Sequence, residues 1–192
     1  DRVAIQPHMG PLSGYFGTRG LHFLAPKGAA TGLTWPWGGF AEYAVMKAYS
    51  TIKMPDGLTF QQGAMVEPAA VAVTALDRSG LIPGGSILIT GGGPIGALTV
   101  MAAHAAGAAQ IFVSEPNKAR REKVELSPFD LIIRDIRIQG SLCYPTTLWP
   151  RIYSMIKNGL LPVDKLIDAE ISLSNLVENG FKPLIDPAGT KL

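Results

Sequence analysis

The sequence predicts an α/β protein whose regular part is a parallel βαβ unit, and three observations carry that expectation. Ser86-Ile87-Leu88-Ile89-Thr90 is an apolar run of strand length, set off by the turn Pro83-Gly84-Gly85. Gly91-Gly92-Gly93-Pro94-Ile95-Gly96 follows at once and fits G-x-G-x-x-G, and residues 97 to 106 then read as a helix closed by Gly107. Gln110-Ile111-Phe112-Val113-Ser114 is a second buried strand, ending in Glu115-Pro116-Asn117. The composition agrees with a packed core: 47% hydrophobic and 17% charged residues in 192 exclude intrinsic disorder. No run reaches the roughly 18 apolar residues of a membrane span. A net charge of +2 leaves no footprint for nucleic acid. The single cysteine, Cys143, excludes a disulfide framework and a Cys-rich zinc module.

Three regions differ in texture. Residues 1 to about 63 are rich in Gly, Pro and aromatic residues and read as an irregular β region. It holds a candidate strand at Phe40-Ala41-Glu42-Tyr43-Ala44-Val45 and a turn at Met54-Pro55-Asp56-Gly57. Residues 64 to 78 are Ala- and Val-rich and predict a buried helix despite Pro68. The βαβ unit comes next, and 118 to 126 begins another helix. A third region starts abruptly at Ser127. Ile136 and Ile138 alternate with Asp135, Arg137 and Gln139, a half-buried strand pattern. Leu148, Ile152, Met155 and Ile156 form one apolar helix face ended by Gly159. The expected divisions are therefore 1–78, 79–126 and 127–192.

In the glycine loop, the first glycine makes a tight turn and the second lets the backbone approach a pyrophosphate. The third lets the helix pack closely on the sheet, and the helix N-terminus offers N–H groups to phosphate. Gly91, Gly93, Pro94, Ile95 and Gly96 are the expected cofactor-binding residues of this loop. Glu115 lies at the end of the next strand, 19 residues beyond Gly96, where a carboxylate accepts hydrogen bonds from ribose hydroxyls and repels a 2′-phosphate. That favours NAD over NADP, a preference Arg120 and Arg121 qualify. The alternative is a structural glycine turn with a solvated Glu at a strand end. Agreement of loop and acid favours the dinucleotide.

Several segments in series resemble the zinc-containing medium-chain dehydrogenase/reductase family, in its polyol and 2,3-butanediol dehydrogenase branch. They are Asp1-Arg2-Val3-Ala4, Gly38-Gly39-Phe40-Ala41-Glu42-Tyr43, Val66-Glu67-Pro68-Ala69-Ala70-Val71-Ala72-Val73, the glycine loop, Ser114-Glu115-Pro116, Ile136-Arg137-Ile138-Gln139-Gly140-Ser141 and Trp149-Pro150. The resemblance implies a GroES-like β-rich catalytic part, a Rossmann-type NAD-binding part from about residue 79, and a C-terminal return to the catalytic part. It also implies a catalytic zinc that lowers the pKa of the alcohol oxygen, so that the alkoxide can pass hydride to nicotinamide. By the same match Glu67 is a catalytic residue and the carboxylate of the zinc site. The plainer alternative for Glu67 is a partly buried helix residue with a structural partner.

The departures from the family pattern are large. Its zinc-binding cysteine and Gly-His-Glu motif lie upstream of the segment matching Asp1. The four-cysteine loop is replaced by residues 11 to 20 without a thiolate, so no structural zinc is expected. Thr74 stands where a histidine is common. About half of a Rossmann domain is skipped between Leu126 and Ser127, which would leave sheet edges and apolar faces uncovered. Either residues of the natural molecule are missing from this sequence, or the chain is a genuinely shortened homologue; the need to bury the visible core favours the first. The start at Asp1, with no leader after it, likewise leads us to expect that the chain begins inside a longer polypeptide.

The remaining candidates are weaker. His8 and His22 flank the loop that lacks the cysteines, but a replacement metal site there needs more ligands. His104 reads as a packed or surface residue, and Cys143 as a lone thiol without the neighbours a soft metal needs. Trp35, Trp37 and Phe40 could line a cleft or anchor loops. Lys118, Arg120, Arg121 and Lys123 are most simply a solvated helix face. Two functions compete: an NAD-dependent dehydrogenase of secondary alcohols, polyols or vicinal diols, with other zinc ligands outside these residues, and a shortened family member without zinc or dehydrogenase activity, acting as a nucleotide-binding or regulatory protein or catalysing metal-free chemistry. The first carries the expectation of a small-molecule substrate, a cytoplasmic location and a homo-oligomer, with neither nucleic acid nor membrane as partner.

Overall fold

The computed structural model describes residues 1–114 and 139–185. The β-rich part is built from short antiparallel pairs. Strand β1 (Val3–Ile5) pairs with β4 (Thr51–Lys53), Ala4 opposite Ile52, and backbone bonds from Gln6 to Ser50 and from Met54 to Arg2 extend the ladder. Strand β2 (His8–Met9) pairs with β3 (Ala29–Ala30), His8 opposite Ala30.

The strand expected at 40–45 is not formed. No described segment pairs with it, and Phe40 and Tyr43 are exposed. The Val45 carbonyl is taken instead by the Trp35 indole at 3.0 Å. Strand propensity is insufficient without a neighbour to accept the ladder.

The helix expected over 64–78 is formed over Val66–Ser79, and a separate short helix precedes it. Helix α1 (Phe60–Ala64) opens on a capping box: Thr59 accepts from the Gln62 backbone, and the Gln62 side chain accepts from the Thr59 N–H. Met65 joins it to α2 (Val66–Ser79), which places Pro68 in the first turn, where its missing N–H costs no helical bond. Gly80, at φ +78°, ends the helix. Val66, Ala69, Ala70, Val73 and Leu76 form its buried face. The small residues there, with Ala102 and Ala103 of α3 (Pro94–Ala105), let the two helices approach closely. The third member of the core is α4 (Trp149–Lys157), whose buried face is Trp149, Ile152, Tyr153 and Ile156. Each fully buried aliphatic such as Leu98 or Ile152 contributes about 1.5–3 kcal/mol by leaving water.

Strands β5 (Ser86–Thr90) and β6 (Gln110–Ser114) pair in parallel across α3, with Leu88 opposite Phe112. One face, carrying Ile87, Ile89 and Ile111, packs toward the core. The opposite face leaves Leu88 and Phe112 at 64% and 55% exposure, so β6, expected as a buried strand, has no buried residue: no described element covers its outer face. The helix start expected at 118–126 and the strand at 136–138 lie outside the described residues.

Candidate functional site

Two constellations stand at the places the sequence singles out. The first is the glycine loop between β5 and α3. Gly91 adopts φ +99°, a conformation that L side chains rarely take, and its N–H bonds the Ser114 carbonyl at 2.7 Å, so the turn is pinned to β6. Gly93 is the N-cap of α3 and nothing lies within 4 Å of where its Cβ would stand. Pro94 then starts the helix, a position where its missing N–H is immaterial. At Gly96 a Cβ would overlap the Gly91 carbonyl. The helix N-terminus therefore sits directly on the turn, with an open approach at Gly93. Such an arrangement presents backbone N–H groups and the positive end of the helix dipole to an anion. Ile95 is exposed beside it. Glu115 and Arg120 lie outside the described residues.

The second constellation surrounds Glu67. This carboxylate stands in the first turn of α2, where the helix dipole favours a negative charge. The Tyr144 hydroxyl donates to Glu67 Oε1 at 2.9 Å. Tyr144 is fully buried and packs on Trp149, which in turn packs edge-on against Tyr153. Burial, then the charge of Glu67 and its hydrogen bond, raise the Tyr144 hydroxyl far above the usual phenol range. It is therefore a fixed hydrogen-bond donor, not an acid that titrates. Next to it, Cys143 Sγ lies 3.1 Å from His8 Nε2. Burial and the Glu67 charge raise the Cys143 thiol as well. Glu67 also lines a cavity of about 220 Å³ whose other walls include Ala4, Met54 and Phe60. A larger cleft of about 950 Å³ lies elsewhere, between Gln61, Met65, Leu166, Asp168, Glu170 and Leu184, and contains neither Glu67 nor the glycine loop.

The plain alternative for Glu67, a half-buried helix carboxylate with a structural partner, thus describes its contact with Tyr144. As a zinc donor it offers the right atom type, but among the described residues no three His, Cys, Asp or Glu side chains gather as a metal would require. His8 and His22 do line one cavity, of about 320 Å³, without a third donor. His22 is buried, both ring nitrogens lack a hydrogen-bond partner among the described residues, and burial holds its pKa below the ordinary value. His104 is exposed. Of the aromatic candidates, Trp35 receives Lys47 over its ring and Phe40 packs edge-on against Phe181, contacts of loop anchors.

Sequence reasoning missed Tyr144, and although it named His8 and Cys143 separately it did not bring them together. Tyr144 is 77 residues from Glu67, and Cys143 is 135 from His8, so no local period could have joined them. The expectation that Cys143 lacks neighbours is corrected: the fold brings an imidazole to it.

No protein-family model matches the chain. The (R,R)-butanediol dehydrogenase of Bacillus subtilis is 27% identical over 96% of this chain and 70% of its own length. That alignment runs over 249 positions, so at least 57 of them (249 less 192) hold residues of the relative alone. The sorbitol dehydrogenase of Pongo abelii is 34% identical over 70% of this chain, and the match spans 38% of that enzyme. The crystal structure of the B. subtilis 2R,3R-butanediol dehydrogenase superposes with a TM-score of 0.84 at 27% identity, over 98% of this chain and 72% of the other. With these relatives the architecture is a GroES-like part joined to a Rossmann-type part. No helix among the described residues is long and apolar enough to cross a membrane.

Proposed function

We propose that this chain, a homologue of the butanediol and sorbitol dehydrogenases of the medium-chain dehydrogenase/reductase family, belongs to an NAD-dependent alcohol or polyol dehydrogenase. The reaction takes a secondary alcohol, polyol or vicinal diol. Bound NAD would supply the hydride acceptor: the carbinol C–H would be given up as hydride and the O–H proton to solvent, yielding the ketone and NADH.

The observation that carries this reading is the glycine loop. Its three glycines meet three separate demands, a positive φ at Gly91, open space at Gly93 and a forbidden Cβ at Gly96. The pyrophosphate is assigned to the loop and to the N–H groups behind Pro94 and Ile95. Glu115 is assigned to the adenosine ribose, with Arg120 beside it. The substrate end is assigned to Glu67. One of its oxygens is fixed by Tyr144, which leaves the other to face a cation or a substrate hydroxyl. Zinc bound there would polarise the alcohol oxygen, its further ligands lying outside the described residues. In keeping with such an enzyme, we assign residues 1–78 to the catalytic part, 79–126 to the nucleotide part and 127–192 to its end and the return, in a cytoplasmic homo-oligomer.

The test is NADH formation with zinc and a panel of diols and polyols, alongside NAD binding by calorimetry. Turnover lost on Glu67→Gln, with NAD affinity unchanged, supports the assignment. NAD binding with neither zinc uptake nor turnover on any member of the panel overturns it.

A further inference from the structure

Residues 143 and 144 are held from two sides. Cys143 reaches back to His8 on β2, while Tyr144 reaches forward to Glu67 on α2. Between these anchors the backbone of Cys143 takes φ +49°, one of two described non-glycine residues at positive φ. That conformation is unfavourable for a non-glycine residue and persists only where its surroundings fix it. The His8 ring also approaches the Tyr144 ring edge-on, with centroids 6.4 Å apart. The same dipeptide thus ties the N-terminal β region to the helix that carries the carboxylate, through side chains distant in sequence.

We propose that His8 and Cys143 are positioning residues, a latch that holds the Tyr144 hydroxyl on Glu67 and so fixes which carboxylate oxygen remains available. The bearing on turnover rests on the dehydrogenase reading. The geometric claim does not. Releasing the latch lets Cys143 relax toward ordinary backbone geometry and weakens the neighbouring Tyr144–Glu67 bond, though neither His8 nor Cys143 need touch a substrate.

Cys143 is the only thiol, so its alkylation by iodoacetamide reports on the latch without any turnover. The rate is measured on the folded protein for the wild type, His8→Ala, Tyr144→Phe and the double variant. Each single change breaks one hydrogen bond and is expected to speed alkylation about 3–10-fold. The double variant is expected to be no faster than the faster single one, because both open the same latch. His8→Gln, which can place an amide nitrogen near the position of Nε2, is expected to restore the rate to within about twofold. Multiplying effects, or a His8→Ala rate equal to the wild type, would overturn the proposal. So would a His8→Gln variant that melts like the wild type yet alkylates like His8→Ala. Where the protein turns over a diol, His8→Ala should lower kcat/KM by the same factor as Tyr144→Phe, again without adding to it. Absent turnover in the wild type counts against the dehydrogenase reading alone, since the alkylation result stands separately.

Discussion

Gly96 lies against the Gly91 carbonyl so closely that a methyl group at position 96 would overlap it. The turn and the first turn of α3 therefore share one volume, and the helix axis points where it does because residue 96 has no side chain. Gly93, three residues earlier, has no such neighbour. The two glycines separate folding from binding, and this gives the first prediction. Gly96→Ala should destabilise the protein by about 1–3 kcal/mol, the range for overpacking, read as a lower urea midpoint. Gly93→Ala should leave that midpoint nearly unchanged while weakening NAD binding, because its Cβ would project into the approach of the pyrophosphate. Equal losses of stability in the two variants would contradict this division.

How much of this was legible in the sequence follows from the range of the interactions. The glycine loop, the β5 and β6 runs and the helix α4 are local patterns, and these elements form where the pattern put them. The burial differs, since β6 has no buried residue and Trp149 and Tyr153 join the α4 face while Met155 is only partly buried. The Phe40–Val45 run has the same local signal, but a strand needs a partner that local signal does not contain. The short helix α1 ahead of α2 was not expected, because its start is set by a side-chain exchange between Thr59 and Gln62 and not by an apolar period. The surroundings of Glu67 were illegible for a different reason: Tyr144 and Cys143 arrive from the far side of the chain, joined to Glu67 and His8 by packing rather than by period.

Tyr144 and Tyr153 both pack on Trp149 yet should respond oppositely to removal of their hydroxyls. Tyr144 donates to Glu67, so Tyr144→Phe leaves a carboxylate oxygen without its donor, a loss of about 1.5–3 kcal/mol for a bond to a charged group. The Tyr153 hydroxyl is buried with no partner, so Tyr153→Phe removes a desolvated polar group and should be neutral or stabilising. Urea unfolding at neutral pH decides both.

The phenols also set the behaviour in alkali. Burial pushes the Tyr153 hydroxyl up to about 12 and raises that of Tyr49. In the unfolded chain a phenol loses its proton near pH ~10, while the folded chain retains it. Above pH ~10 the unfolded state therefore binds fewer protons, and stability falls as pH rises. The contribution is complete below pH ~10 and declines toward the folded values. Tyr153→Phe should make the fall shallower between pH ~10 and ~12. An unchanged slope would show that Tyr153 ionises equally in both states.

His22 should act on the acid side. Burial lowers its pKa, so the folded protein keeps the ring neutral where the unfolded chain takes a proton, below pH ~6.5. Its contribution to stability is therefore intact above that pH and declines as pH falls. His22→Phe keeps the ring that packs edge-on against Tyr49 but removes the titration. Urea midpoints between pH ~5 and ~7 should fall less steeply in this variant. An identical dependence would place the acid loss on other groups.

The parallel pair β5–β6 leads to the last prediction. Parallel strands are normally covered on both faces, because helices pack on each side of the sheet. Here Ile87, Ile89 and Ile111 face the core, while Leu88 and Phe112, paired across the strands, stay more than half exposed. The butanediol dehydrogenase carries at least 57 aligned positions without a counterpart in this sequence, enough for further elements of a sheet and its helices. An apolar cross-strand pair left in water should bind a hydrophobic dye and promote concentration-dependent association of the 192-residue chain. Replacing both residues with lysine should suppress dye binding and association while changing stability by no more than about 0.5 kcal/mol, as at other exposed positions. Dye binding and association that survive the double substitution would place the apolar patch elsewhere.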